Sequence, residues 1–310
     1  MFGLQSYNYE TFTKDMLLKV MAASKTVVGG PRPGERAPDF EARTLDGDKV
    51  KLSNFRGEKN VVLTFGSATC PMTAGSIGGI DELAEKFDSE DVQFFFIYVR
   101  EAHPGEKIGA HRSMEEKVSA AELLREEEAL QIPVVVDDLR GNIHRKYGKL
   151  PNPTFIIDKS GRVAFRGYWT QPSVIEEALK ELLEVQEERG VDHAVVLGGE
   201  DKSVPMASTL FHAYRALRRG GKTSIRNFEK AMGLPGRVMM AGSRLVGPVA
   251  EHPGRTLAAL ALGAGVVAAG VFAGRALRER RFRSRHPYQY FPEPEEEQQE
   301  PESDYGAVGI

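Results

Sequence analysis

The chain has 310 residues, of which 41% are hydrophobic and 27% are charged. This length and composition predict one or two packed domains and exclude a disordered or collagen-like polypeptide. Forty-one Lys and Arg against 44 Asp and Glu give a net charge of −3, so no overall basic excess indicates nucleic-acid binding. The single cysteine, Cys70, excludes an internal disulfide, a Cys-rich zinc site and a Cys-x-x-Cys redox pair.

Changes in composition divide the chain into five segments. Residues 1–30 are predicted to form an N-terminal helical arm that ends in the turn Gly29-Gly30-Pro31, and no apolar core of a secretory signal lies within it. Residues 31–190 are the main predicted domain, and residues 191–255 are a basic amphipathic linker region. Residues 256–274 are a candidate transmembrane helix, followed over residues 275–310 by a basic collar and an acidic disordered tail.

The domain of residues 31–190 alternates short apolar runs with helical patterns. The runs at 61–65, 92–99, 134–136, 155–157 and 163–165 are apolar on both sides, which is typical of strands in a sheet covered on both faces. The last two runs are joined by the short turn Asp158-Lys159-Ser160-Gly161, which predicts an antiparallel hairpin. We therefore expect an α/β fold with a central mixed sheet flanked by helices, plus a C-terminal hydrophobic helix.

The region after residue 200 is basic, and its most regular segment is residues 206–217. Leu210, Phe211, Tyr214 and Leu217 recur there at helical spacing beside arginines. Such a helix either lies against anionic lipid headgroups or an acidic protein face, or it packs on the domain.

The candidate transmembrane helix has nineteen residues without a charge, close to the ~20 that cross a bilayer core, although its many Ala and Gly also allow a buried core helix. Gly270 and Gly274 would allow two such helices to approach closely as a homodimer. The arginines after residue 274 favour a cytoplasmic location for the C-terminal flank. If Cys70 needs an external thiol from the cell, residues 31–190 would instead lie in the cytoplasm. We expect a single-pass C-terminal anchor with the catalytic domain in the cytoplasm.

Cys70 follows the first strong strand and precedes a stretch that can open a helix. A thiol at a strand-to-helix junction feels the positive end of the helix dipole, which favours the thiolate and predicts a reactive cysteine with a lowered pKa. The alternative is a buried, inert small side chain. Ser67 or Thr69 would either donate to the thiolate or cap the loop.

A proline loop precedes the 155–157 strand. Pro153, followed by Thr154, invites a cis peptide bond and resembles the loop that faces the reactive cysteine in thioredoxin-like folds. Together with the order of strands and helices, this loop resembles the thioredoxin superfamily.

A narrower resemblance is carried by short motifs between residues 34 and 185. Residues 65–71 (FGSATCP) are similar to the selenocysteine loop of iodothyronine deiodinases, with Cys70 at the selenocysteine position. Residues 98–104 (YVREAHP) resemble a strand-end Glu-Ala-His segment of that family. His111-Arg112, the 120–124 helix, residues 133–137 and residues 147–151 continue the match in order. By this resemblance Cys70 is the nucleophile and His103 and His111 are the two family histidines.

The sequence also departs from the family pattern. Sulfur replaces selenium, and Ala68 stands where deiodinases often carry a second cysteine. Sulfur ionises less readily, so a lower dehalogenation rate is expected.

The chemistry that the residues predict is nucleophilic attack by Cys70 on the electrophilic atom of a small molecule, a halogen or a peroxide oxygen. An external thiol of glutathione or thioredoxin type would restore the cysteine, because no resolving cysteine exists. His103 would orient or protonate the leaving group, and His111 would pair with Cys70 or with substrate. No bound cofactor, metal or nucleic-acid partner is expected.

Two alternatives remain open from the sequence. A one-cysteine peroxiredoxin-like peroxidase is one of them, although Leu63 and Ser67 occupy the positions of that motif's proline and threonine. A non-catalytic, membrane-tethered thioredoxin-fold module for binding or redox sensing is the other.

Overall fold

The computed structural model describes residues 7–23, 29–88 and 91–250. Numbered in chain order, its strands are β1 Glu41–Arg43, β2 Lys49–Lys51, β3 Asn60–Gly66, β4 Val92–Tyr98, β5 Val134–Val136, β6 Thr154–Ile157, β7 Val163–Gly167 and β8 Glu200–Asp201. Its helices are α1 Lys14–Ala23, α2 Pro71–Lys86, α3 Met114–Glu128, α4 Asn142–Lys146, α5 Pro172–Arg189, α6 Met206–Gly220, α7 Lys222–Met232 and α8 Leu234–Ala250. A 3₁₀ turn covers Leu52–Phe55.

Six strands form the central sheet in the order β5-β4-β3-β6-β7-β8. Strands β3, β4 and β5 pair in parallel, whereas β6 pairs antiparallel with both β3 and β7. The predicted mixed α/β sheet with an antiparallel hairpin is therefore confirmed. The strand order and the helix between β3 and β4 are those of a thioredoxin-like fold.

The central strands are apolar on both sides because both faces of the sheet are covered. On β3, Val62 joins the core formed with α2, α3 and α5. The neighbouring Val61 and Leu63 join the opposite core, which includes side chains from β2 and α4. This alternation is the period of two that a strand imposes, and it explains the uninterrupted apolar run in the sequence.

The basic region after residue 200 forms helices α6, α7 and α8. Ala213, Ala216 and Leu217 of α6 are buried, and α6 runs so close to α2 that a Cβ on Gly75 would lie 3.0 Å from the carbonyl carbon of Ser208. Of the two placements left open for residues 206–217, the structure therefore has the helix packed on the domain. Leu217 of its apolar face is buried, and Leu210, Phe211 and Tyr214 are half-buried.

The described residues contain no helix that is both long and apolar enough to cross a membrane. The candidate transmembrane helix at 256–274, the basic collar and the acidic tail all lie outside the described residues.

A strap formed by residues 7–12 precedes α1 and lies across the carboxyl end of the sheet. The Tyr7 hydroxyl is 2.7 Å from His144 Nδ1, and His144 Nε2 is 2.6 Å from the Leu150 carbonyl oxygen. Because a carbonyl only accepts, Nε2 carries the proton and Tyr7 donates to Nδ1. The Tyr9 hydroxyl donates to the Ala102 carbonyl at 2.6 Å.

We expect Tyr7→Phe to lower the free energy of unfolding by about 1–3 kcal/mol, because it leaves the buried Nδ1 of His144 without a donor. Urea-induced unfolding measures this change. The control in the same strap is Glu10→Gln, whose exposed carboxylate lies 3.5 Å from Arg112 and should contribute less than about 0.5 kcal/mol. Equal stability of the two variants would contradict a buried Tyr7–His144 hydrogen bond.

Candidate active site

Cys70 ends the loop after β3 and occupies the N-cap position of α2, whose first residue is Pro71. Only 2% of Cys70 is exposed. Burial raises the pKa of the thiol above its ordinary value, and the negative charge of Glu101 adds to this. Hydrogen bonds from Thr73 and from the Met72 backbone act in the opposite direction, as expected at a helix N-terminus, but are outweighed. The expected lowered pKa is therefore wrong for this closed form of the site, because desolvation exceeds the helix-end effect.

The carboxylate of Glu101 is the polar centre of the site. Its Oε2 accepts from the backbone N–H of Thr69 at 2.9 Å and from the Thr69 hydroxyl at 2.6 Å. Its Oε1 accepts from the Tyr98 hydroxyl and lies 3.3 Å from His111 Nε2. Burial alone would raise the pKa of Glu101, but His111, Thr69 and Tyr98 together hold it below its ordinary value. The group is thus a buried, ionised carboxylate.

His111 therefore pairs with Glu101 rather than with Cys70. Burial and the Glu101 charge raise the pKa of Tyr98 well above its ordinary range, so the phenol stays protonated and donates to the carboxylate. The sequence analysis did not name Glu101 or Tyr98 as site residues. Both could have been found, because they lie in the YVREAHP motif on which the family resemblance rests.

Ser67 and Thr69 connect the cysteine loop to the 101–103 loop. The backbone N–H of Ala102 donates to Ser67 Oγ at 3.1 Å, and that of His103 donates to Thr69 Oγ1 at 3.0 Å. Of the two roles left open for these hydroxyls, the structure thus supports the loop-fixing one. The residue whose hydroxyl and N–H affect the sulfur is Thr73, one turn into α2.

His103 is buried between two aromatic rings from opposite ends of the chain. Phe12 of the strap lies 4.2 Å from the imidazole, centroid to centroid, and Phe228 of α7 lies 5.3 Å away. Ser224 Oγ donates to the His103 carbonyl at 2.6 Å. Burial lowers the pKa of His103 to about 3, so the ring is neutral. Its Nδ1 is buried and has no hydrogen-bond partner within the described part of the chain.

The proline loop adjoins the cysteine loop but not in the expected conformation. Within residues 7–23, 29–88 and 91–250 there is no cis peptide bond, so the cis bond expected before Pro153 is wrong. The loop is held by backbone pairing instead: Phe65 N–H donates to the Pro153 carbonyl at 3.0 Å. Asn152 Nδ2 donates to the Phe65 carbonyl at 2.8 Å. The Thr154 hydroxyl bonds to Thr170 at 2.7 Å, away from the sulfur.

Helices α6 and α7 form a cover over the site together with the strap. Arg219 donates to the Ala68 carbonyl at 3.3 Å and pairs with Glu127 and Glu128 of α3. Thr209 Oγ1 lies 2.7 Å from the sulfur of Met72. The sequence carried no signal for these contacts, because the partners are more than 90 residues apart.

The sheet topology and a cysteine at the start of the first crossover helix place this protein among thioredoxin-like α/β proteins. The sequence profile of the family described as iodothyronine deiodinase matches residues 6–187, which is more than half of the chain. The chain therefore belongs to the iodothyronine deiodinase family, and the resemblance stated from its motifs is confirmed.

Curated relatives are named as enzymes of this family. Thyroxine 5-deiodinase of Ovis aries is 33% identical over 150 residues, which cover 45% of this chain and 49% of the relative. Type I iodothyronine deiodinase of Xenopus laevis is 30% identical over 143 residues, covering 43% and 56% respectively. The chain thus spans about half the length of the curated relatives that it matches.

Solved structures of thioredoxin-like proteins are also similar to this chain. A thiol:disulfide interchange protein of the thioredoxin family from Chlorobium tepidum is 18% identical with a TM-score of 0.39, covering 49% of this chain and 98% of its own. The exposed lipoprotein thioredoxin Etrx1 of Streptococcus pneumoniae is 25% identical with a TM-score of 0.36, covering 47% and 100%.

Alkylation of Cys70 by iodoacetamide should be slow at neutral pH and should accelerate only above pH ~8.5, the pKa of a free thiol, since burial raises the thiol pKa. Intact mass reads the reaction without ambiguity because no second cysteine exists. Phe228→Ala should open the cover and speed alkylation several-fold, whereas Phe228→Leu, which retains most of the volume, should not. Fast alkylation of the unmodified chain at neutral pH would contradict the buried thiol.

Stability should fall on mild acidification. His103 and His144 are buried, and burial lowers the pKa of each to about 3, whereas an unfolded histidine titrates near pH ~6.5. The unfolded chain therefore binds more protons below that pH, and each histidine should cost roughly 1 kcal/mol between pH 7.5 and 5.5. Urea unfolding at both pH values measures this loss, and His103→Gln should reduce it by about half. An unchanged loss in that variant would show that His103 is not buried neutral.

Proposed function

We propose that this chain is a thiol-dependent oxidoreductase of deiodinase type, with Cys70 as the nucleophile. The observation that carries the proposal is the arrangement around the sulfur. A cysteine at a helix N-terminus adjoins loops that hold the ionised Glu101 beside His111 and a neutral His103 whose buried Nδ1 has no hydrogen-bond partner among the described residues. A merely structural cysteine needs none of these groups.

The reaction can be written with a carbon–iodine bond as the substrate. The Cys70 thiolate attacks iodine, the carbon–iodine bond breaks, and the ring carbon takes a proton, which leaves a sulfenyl iodide on Cys70. One external thiol displaces iodide and forms a mixed disulfide, and a second thiol releases Cys70 as the thiol together with an oxidised disulfide. Two thiols thus supply the two electrons, and iodide leaves with a proton.

The buried polar groups suit the proton transfers. His111, held beside Glu101, would accept the thiol proton or return one, since imidazole is the usual acid–base side chain near neutral pH. Neutral His103 can hold a polar group of the substrate through its free Nδ1. Ser67 and Thr69 fix the loops that position these groups, and Pro153 and Thr154 support the same end of the sheet.

The cover must separate from the site before a substrate of aromatic size can reach the sulfur, because Phe12, His103 and Phe228 pack against each other. Opening would also rehydrate the sulfur and relieve the desolvation that raises its pKa. Substrate entry and activation of the nucleophile would then be the same event.

The names of the relatives favour an iodinated aromatic substrate, since two of them are thyroxine 5-deiodinase and type I iodothyronine deiodinase. The reductant in the proposal is an external thiol of glutathione or thioredoxin type, and no bound cofactor takes part. The proposed location is a membrane, with residues 256–274 as a single-pass anchor and the catalytic domain in the cytoplasm.

A non-catalytic binding or sensing module is the second candidate, and the burial of Cys70 favours it. In that function the cover would be permanent, and Cys70 would act as a small core side chain.

Iodide release from an iodinated aromatic compound in the presence of dithiothreitol tests the proposal. We expect release by the full chain, none by Cys70→Ser, and roughly a hundredfold less by His111→Gln, the usual scale for loss of an acid–base group. The exposed Lys180→Gln serves as the matched control and should keep full activity.

Parallel assays with hydrogen peroxide separate the enzyme classes. Turnover with peroxide but not with the iodinated compound would identify the peroxiredoxin-like alternative. Activity retained in full by Cys70→Ser would refute Cys70 as the nucleophile. If the chain turns over neither substrate, and Cys70 of the Phe228→Ala variant still resists alkylation, the non-catalytic binding module is the remaining function.

A further inference from the structure

Helix α8 presents three large apolar side chains to solvent on one face. Leu234 is 73% exposed, Val238 54% and Leu245 77%. At 3.6 residues per turn their directions around the helix axis fall within about 40° of each other. We call this surface the α8 stripe. It lies beyond residue 187, where the match to the deiodinase family ends.

The opposite face of α8 is fixed to the domain, so the stripe has a defined direction. Met240 is buried in a small core with α6 and α7. Ser243 Oγ accepts from the Tyr214 backbone N–H at 2.8 Å and donates to the Phe211 carbonyl at 3.1 Å. The exposed apolar residues are therefore not a frayed end but one side of a docked helix.

The charge beside the stripe is positive. Arg237 and Arg244 are exposed and flank it on one side, seven residues apart, which is two helical turns. Arg244 is held over the Tyr214 ring, 4.9 Å from its centroid. Residues 206–250 contain eight Lys and Arg but a single acid, Glu229.

The exposed apolar side chains and the flanking arginines together indicate what binds to the α8 stripe. An aqueous protein surface rarely keeps three such side chains exposed on one helix without a partner. A second copy docked stripe to stripe would bring together two faces of the same positive charge, which repel each other. An apolar face flanked by arginines instead fits the boundary between acyl chains and anionic headgroups.

The course of the chain agrees with this occupant. Only residues 251–255 separate α8 from the uncharged residues 256–274, and five extended residues reach at most about 18 Å. Residues 256–274 are the proposed bilayer span, so α8 is the neighbour in sequence of the proposed membrane segment.

We propose that the α8 stripe binds the surface of an anionic lipid bilayer, with Leu234, Val238 and Leu245 at the acyl boundary and Arg237 and Arg244 on lipid phosphates. This contact has a different role from a membrane-spanning anchor. An anchor holds the chain at the membrane, whereas the stripe fixes how the catalytic domain lies on the bilayer. It does not depend on the reaction proposed for Cys70.

A single-site fluorescent label tests the contact in the full chain. In a Cys70→Ser background, Leu245→Cys is labelled with an environment-sensitive dye, and the chain is reconstituted into phosphatidylcholine vesicles with or without phosphatidylserine. A lipid carrying a nitroxide at its headgroup is the quencher. The matched control is Val195→Cys, an apolar position that is also partly exposed (45%) but lies in the loop after α5.

With phosphatidylserine present, we expect the label at 245 to be quenched at least about twofold more than the label at 195, and added salt should reduce the difference. Arg237→Gln with Arg244→Gln should lower quenching at 245 toward its value in neutral vesicles.

Equal quenching at 245 and 195 would overturn the proposal. A label at 245 that is already shielded without vesicles would also overturn it: concentration-dependent shielding would assign the stripe to a second copy, and concentration-independent shielding to the chain's own residues after 250.

Discussion

The structure of the site depends on one buried negative charge, the carboxylate of Glu101. An isolated carboxylate in a protein interior is costly, and this one is retained because Thr69, Tyr98 and His111 all address its two oxygens. Each partner comes from a different segment: the cysteine loop, the end of β4 and the loop before α3. Satisfying the charge therefore sets the distance between the nucleophile's loop and both histidines.

The same charge acts on its neighbours. It disfavours ionisation of both Tyr98 and Cys70. In the structure the site thus holds a neutral, buried thiol. A thiol that ionises only on opening is protected from the soluble oxidants that would convert it irreversibly.

Much of the fold could be predicted from the sequence because its determinants are local. Continuous apolar runs such as Val61 to Phe65 reveal strands that are covered on both faces, and the Asp158–Gly161 turn reveals the hairpin. The position of Cys70 at the strand-to-helix junction follows from the same local pattern. The direction of its pKa shift does not, since it depends on how completely the folded chain buries the sulfur. Such contacts join residues far apart in sequence, and no periodicity encodes them.

The cover is built from both ends of the described chain, and this has a consequence for synthesis. A ribosome makes the strap and Cys70 first, whereas Phe228 and Ser224 follow more than 150 residues later. At typical elongation rates that interval is roughly ten seconds or more. During that time the thiol loop can fold without its lid, so the nascent protein passes through a stage in which Cys70 is open to whatever thiols and oxidants surround the ribosome. The closing helices therefore also determine when, during synthesis, the only thiol of the chain becomes buried.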